Sequence, residues 1–384
     1  MPGTDTRQIS IASPSIGEEE IQAVREVLES GWLTQGPQVS AFEDRFAEMH
    51  GVKHAIAVTS CTTGLHLVLH GMGIGPGDEV IVPAFTWVAT ANAVVHCGAT
   101  PVFVDIDRYT YNIDPAKIVE ALTDRTRAVI PVHLFGLCAD MDAIREVLPD
   151  NLKILEDAAC AAGAVYKDHP AGSLGDAAVF SFHPRKTITT GEGGMITTSD
   201  SVLAEKLRSL RNHGASIPEE KRHLSARPYD LSEFSRVGFN YRMTDLQGAV
   251  GLEQLKKLDS FIGERAQLAA VYREEMADLK WLHCPAEPSD GQHGWQAFVT
   301  LVDPTLAPCP RNKLMDRLHA IGIATRPGTH SLNNLGAYQA IKSKCPVASE
   351  CAAQTLALPL HNQMKEGDLQ SVVVELKQQS LLVE

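Results

Sequence analysis

The sequence predicts an α/β protein: a large domain built on a mostly parallel sheet covered by helices, followed by a smaller α+β C-terminal domain. Three observations carry this. From residue 52 onward, short β-rich apolar runs alternate with longer helical stretches, the pattern of repeated βαβ units. Residues 244–280 then read as one long linking helix, after which a single strand and two further helices suffice for a small domain. The 384 residues are 44% hydrophobic and 21% charged, with 29 glycines and 21 prolines spread throughout, which sets aside disorder, collagen-like repeats and small stapled scaffolds. The expected boundaries are residues 1–243 for the large domain with its N-terminal arm and 244–384 for the linking helix and small domain.

In chain order, the first helix starts at Ser15, where Ser15-x-x-Glu18 reads as a capping box, and Ile21, Val24, Val27 and Leu28 recur at helical spacing before Gly31. A second, around Val39–Met49, follows the Gly36-Pro37 turn. The β-rich runs are Ala55–Val58, Glu79–Val82, Thr100–Val104, Ala128–Val132, Lys153–Leu155, Ala177–Phe182 and Gly194–Thr198. Helices are expected at Thr63–His70, Val88–Cys97, Pro115–Leu122 and Met141–Leu148. In the C-terminal part Gln296–Val302 reads as a strand, with helices at Arg311–Ile321 and near Gly367–Lys377. Ligands of such parallel sheets sit beyond the strand C-termini, so the loops there are where chemistry is sought.

Charge and cysteine usage narrow the function classes. With 34 basic and 47 acidic residues the net charge is −13, and no basic stripe or tail points to nucleic acid or an anionic membrane surface. The opening Met1-Pro-Gly-Thr-Asp5 lacks a secretory n-region, and no apolar run approaches the roughly 20 residues that span a bilayer, so a cytoplasmic protein is expected. The eight cysteines form no C-x-x-C pair and no zinc-ligand spacing, and read as reduced thiols. The glycine-rich Gly71–Gly77 resembles a dinucleotide loop but precedes a strand where such a loop follows one, so it reads as a helix-to-strand turn.

Four segments carry chemistry. In Asp176–Gly194 a strand ends in Phe180-Ser181-Phe182, a loop presents Lys186, and a glycine-rich turn leads to the next strand. An amine beside apolar residues is expected to have a depressed pKa and to attack carbonyls, which makes Lys186 a candidate Schiff-base lysine; a solvated Arg185-Lys186 pair is the plain alternative. The strand before it ends in Glu156-Asp157, 29 residues upstream of the lysine. Asp157 can hold a pyridine nitrogen protonated, as pyridoxal phosphate requires, or simply cap a helix. In Val58–His66 a strand runs into hydroxyl-rich residues at a helix start, where Ser60, Thr62 and the first amides suit a phosphate, or Ser60 is only an N-cap. In Pro83–Thr90, Phe85 and Trp87 follow a strand end, and one of them stacks on a flat heterocycle while the other joins the core.

Taken with Ser30-Gly-Trp-Leu-Thr-Gln-Gly-Pro37, Gly75–Pro83, Pro101–Asp107, Pro131–Gly136 and Gly238-Phe-Asn-Tyr-Arg-Met243, these segments resemble, over nearly the whole chain, the DegT/DnrJ/EryC1/StrS family of sugar aminotransferases, within fold type I of the pyridoxal-phosphate enzymes. That resemblance implies a seven-stranded large-domain sheet and pyridoxal 5′-phosphate as cofactor, with pyridoxamine 5′-phosphate formed midway. It implies Lys186 as Schiff-base lysine, Asp157 as partner of the pyridine nitrogen, Trp87 as the stacking residue, and Cys61 through its amide, Thr62 and Ser181 around the phosphate. Asn240 matches a residue that reaches the cofactor of a neighbouring subunit, which implies a homodimer with shared active sites. Two residues depart from the pattern: Cys160 stands where relatives carry Gln or His beside the cofactor's phenolic oxygen, and Cys61 where glycine is common.

The reaction implied is transfer of an amino group from L-glutamate to a nucleotide-linked keto-sugar, with a 4-keto-6-deoxy sugar as the expected acceptor, giving an amino sugar for polysaccharide such as lipopolysaccharide O-antigen, or for secondary metabolites. His183, Arg326 and His330 are the candidate substrate contacts. His133 and His183 read equally as structural histidines, and Asp105 and Asp107 as caps or turns. The alternatives are a pyridoxal-phosphate sugar dehydratase or eliminase, and a non-catalytic regulatory protein of the same fold.

Overall fold

The computed structural model describes residues 8–216 and 232–381; the opening Met1–Asp5 segment lies outside them. Seven strands form the main sheet: His54–Val58 (β1), Glu79–Pro83 (β2), Thr100–Val104 (β3), Thr126–Val129 (β4), Lys153–Asp157 (β5), Ala177–Ser181 (β6) and Gly194–Thr198 (β7). Their spatial order is β1-β7-β6-β5-β4-β2-β3. Every pairing from β6 to β3 is parallel, and only β7 runs against its neighbours β1 and β6. Each strand matches an apolar run in the sequence. The continuous runs arise because the sheet is covered on both faces, so no alternating polar face survives.

The two faces bury separate cores. On one, Leu65, Val68 and Leu69 of helix Cys61–Gly71 pack with Val58, Val82, Leu155, Val179 and Ile196. On the other, Val39, Phe42 and Phe46 of helix Pro37–Met49 pack with Ala57, Phe180, Phe182 and Met195. Glycines 71–77 make the helix-to-strand turn, with Gly73 and Gly77 at positive φ. A three-stranded antiparallel sheet of Leu282–His283, Phe298–Val302 and Thr355–Leu358, with helices Arg311–Ala320 and Asp368–Gln379, closes around a third core that Ile9 of the N-terminal arm joins.

Three local expectations are corrected. The first helix runs Glu18–Ser30, because the Glu20 carboxylate, not Glu18, reaches back to accept the Gly17 N–H at 2.7 Å, while Ser15 is held by Gln254 and Gln363. The stretch 244–280 is two helices, Asp245–Lys256 and Leu258–Glu275, meeting at Lys257, whose ammonium is drawn to Glu19 and Glu20. Helices Ser201–Arg211 and Pro346–Gln354 had no expected counterpart. Asp200 caps the first; Asp105, from the large sheet, accepts Val347 and Ala348 N–H groups at the start of the second. Asp107 bonds Tyr109 and Thr110 N–H groups in a turn. No helix among the described residues is long and apolar enough to cross a membrane.

Candidate active site

Strand ends β1, β5 and β6, the loop after β6 and an edge of the small sheet converge on a cavity of about 410 Å³. Ser60, Cys61, Thr62, Trp87, Asp157, Cys160, Ser181, His183, Lys186 and Arg326 all line it, although they come from segments far apart in sequence.

Asp157 ends β5, where side chains alternate between faces, so it and Glu156 point opposite ways. Glu156 is fully buried and accepts N–H groups of Gly172, Leu174 and Gly175 at 2.7 Å and His133 Nε2–H at 2.8 Å. His133 is thus structural, its Nδ1 accepting the Ala139 N–H. Asp157, 4% exposed, accepts the Thr90 hydroxyl at 2.7 Å and the Ala159 N–H at 3.2 Å. Burial pushes its carboxyl above the usual range, opposed by Thr90, Ala159, Lys186 and His133. Among the described residues no Lys or Arg lies within ion-pair distance of it, and the nearby Lys186 charge offsets its burial only in part, which leaves room for a ligand cation at this acid.

Lys186 leaves the turn after β6, its N–H bonded to the His183 carbonyl, and its Nζ donates to Cys160 Sγ at 3.1 Å. The expected depression of its pKa is not found. Burial pulls it down, but Cys160, Cys61 and Asp157 together outweigh burial and hold it above the ordinary lysine value. An amine in this setting is ready for a carbonyl partner only after losing a proton.

Ser60 caps helix Cys61–Gly71, its Oγ accepting the Thr63 N–H at 3.1 Å, so the N-cap reading of that hydroxyl holds. The amides of Cys61 and Thr62, first in the helix, have no intrahelical acceptor and are left for an anion. Cys61 resolves the apparent problem of a side chain here: its thiol turns inward to the Val179 carbonyl at 3.7 Å, and burial raises its pKa well above the usual thiol value. The glycine the site needs is Gly194 on β7, where a Cβ would fall 2.6 Å from Ser60 C and 2.7 Å from Cys61 N. Trp87 is 56% exposed on the cavity wall, whereas Phe85 is fully buried core.

His330 does not line the cavity; it pairs with Thr86 and its ring meets Trp87 edge-on, centroids 5.4 Å apart. Asn240 is exposed, bridged to Asn212, and lies away from the cavity of its own chain.

A family model describing the DegT/DnrJ/EryC1/StrS aminotransferases matches residues 14–377. The chain belongs to that family. The aminotransferase is 43% identical over 371 residues to the spore coat polysaccharide biosynthesis protein SpsC of Bacillus subtilis, covering 94% of each chain. It is 41% identical over 379 residues to the GDP-perosamine synthase of Caulobacter vibrioides, covering 98% of this chain and 99% of that one. Among solved structures, the PLP-form of the sugar aminotransferase Spr1654 from Streptococcus pneumoniae superposes with a TM-score of 0.91 at 28% identity, covering 98% of this chain and 100% of that one.

The residues of this aminotransferase fit pyridoxal phosphate on their own chemistry: a buried carboxyl whose burial outweighs its partners, a lysine amine in the same cavity, and helix-start amides beside a glycine cradle that a Cβ would fill. Several residues of the site escape the sequence reading. Thr90, fully buried behind the cavity, reaches it only through its bond to Asp157 and carries no local signal of that partner; Gln296, Ile11 and Ala12 line the cavity from distant segments.

Proposed function

We propose that this aminotransferase uses pyridoxal 5′-phosphate to move the amino group of L-glutamate onto a nucleotide-linked keto-sugar, a 4-keto-6-deoxy sugar by the likeness of the Lys186–Gly194 segment to relatives acting there. The reading rests on the convergence of Lys186 and Asp157 in one cavity with the helix start at Cys61. The bound cofactor supplies an aldehyde that takes the amino group and a ring that takes up electrons. Asp157 keeps the ring nitrogen protonated, and Thr90 keeps Asp157 in place. Trp87 stacks on the ring; the amides of Cys61 and Thr62, with Ser60 and Ser181, hold the phosphate. Lys186 takes the proton from the α-carbon of the donor and, in the second half-reaction, delivers one to the carbon that bore the keto oxygen. His183 and Arg326 meet the substrate; His330, outside the cavity, acts only by packing its ring against Trp87.

The active unit is a cytoplasmic homodimer in which Asn240, exposed on its own chain, reaches the cofactor phosphate of the neighbour. Incubating the loaded enzyme with glutamate tests the reaction: stoichiometric conversion to the pyridoxamine form, read by absorbance, is expected. Unchanged absorbance defeats the transaminase reading. Borohydride reduction and peptide mapping should place the pyridoxyl group on Lys186, and Lys186→Ala should carry none.

A further inference from the structure

We propose that Arg185 and Arg326 form an anion clamp at the cavity mouth that binds the phosphoryl groups of the sugar's nucleotide carrier. This deepens the proposed sugar transamination and rests on it for the identity of the ligand.

Both residues line the cavity, and among the described residues neither guanidinium has a hydrogen bond or ion pair. They are held from two different parts of the fold. Arg185 sits in the turn between His183 and Lys186, its amide bonded to His183 Nδ1 at 3.2 Å and its carbonyl to Gln296 Nε2 at 2.9 Å. Arg326 is pinned by a two-way backbone bridge to Ala357 on the edge of the small sheet. The two feel each other: burial and the Arg185 charge hold Arg326 below the ordinary arginine range. Two guanidinium groups lining one cavity make a positive site that a single anion can bridge.

The other charges in the lining do not supply that anion. Asp157 lies at the floor, engaged by Thr90, and Glu192 faces His183. Position selects a phosphoryl group over the donor's carboxylate. The α-carboxylate is one bond from the reacting carbon and must sit beside Lys186 Nζ, which points inward to Cys160. Arg185 is exposed at the rim, where the far end of a sugar whose carbonyl faces Lys186 would emerge. Two planar guanidinium forks suit the several oxygens of a diphosphate. From Arg326 the chain crosses the mouth to His330, which pairs with Thr86 beside Trp87, so an anion held at Arg326 also fixes the loop over the stacking tryptophan.

The test is calorimetric titration of the cofactor-loaded enzyme with inorganic pyrophosphate and, separately, with glutarate as a dicarboxylate lacking the amine. Pyrophosphate should bind the wild type and weaken about ten- to a hundredfold in Arg326→Ala and in Arg185→Ala, with partial recovery in Arg326→Lys. Glutarate should lose less than pyrophosphate in both alanine variants. A retained cofactor absorbance band certifies that each variant is folded and loaded. No pyrophosphate binding to the wild type, equal binding by the alanine variants, or a larger loss for glutarate overturns the clamp. Failure of glutamate to convert the wild-type cofactor while pyrophosphate still binds would sink transamination and leave the anion site standing.

Discussion

Thr90→Val isolates the contact that governs Asp157. Valine keeps the shape of threonine and removes only the hydroxyl that donates to Asp157 Oδ2 at 2.7 Å, and both residues are buried, at 0% and 4% exposure. A hydrogen bond to a charged group is worth about 1.5–3 kcal/mol, so without it the ionised carboxylate loses about that much and the carboxyl holds its proton more tightly. Burial already raises it, so the loss acts in the same direction. A neutral Asp157 no longer favours a protonated ring nitrogen. The affinity of the apoenzyme for pyridoxal phosphate, read by absorbance titration, should fall about ten- to a hundredfold near neutrality, and should recover partly as pH rises and Asp157 ionises. Unaltered affinity and an unaltered pH profile in a folded variant would refute the assignment of Thr90 as the positioning residue for this acid.

Three further outcomes follow from the packing. Glu43→Ala strands Arg211, 3% exposed and paired with Glu43 across the helix Pro37–Met49, β1 and Ser201–Arg211; urea unfolding should show a loss of about 3–5 kcal/mol, and a loss below about 1 would contradict the buried pairing. Gly194→Ala drives a Cβ to 2.6 Å from the Ser60 backbone, so thermal melts should show about 1–3 kcal/mol of destabilisation together with weaker cofactor binding; a variant that melts and binds like wild type would show the cradle is slack. His50 is buried against Phe46, its Nε2 has no hydrogen-bond partner among the described residues, and burial pulls its folded pKa down to about 4 from 6.5. With the folded value depressed, its stabilisation is complete above pH 6.5 and is lost as pH falls toward 4. At pH 5 it should cost about 2 kcal/mol relative to pH 7, and His50→Phe should lose that much less over the same interval in denaturant titrations; equal losses would rule His50 out.

Much of the seven-stranded sheet and its covering helices was legible because local chemistry and burial agree there. All seven apolar runs became strands, since a doubly covered parallel sheet leaves no polar face to break the pattern. That Lys186, Asp157, the Cys61 helix start and Trp87 line one cavity was legible because each stands at or follows a strand end of the main sheet, where such sheets open their ligand clefts. The helix boundary at Ser15 was not, because Glu20 and Lys257, from opposite ends of the chain's logic, moved it. The joint at Lys257 was hidden for the same reason: helical periodicity continues through it.

The order of amino acids by itself determined the seven strands of the main sheet and most of the helices between them, and which side chains are chemically able to hold a cofactor, because those properties depend on near neighbours and intrinsic acidity. Only the tertiary structure decided that Thr90 bonds Asp157, that Glu156 turns away to bind His133, that the Cys61 thiol tucks under the sheet, and that Lys186 gains proton affinity instead of losing it. Each of these is a balance of burial against partners delivered from distant strands, and that balance exists only once the strands have been brought together.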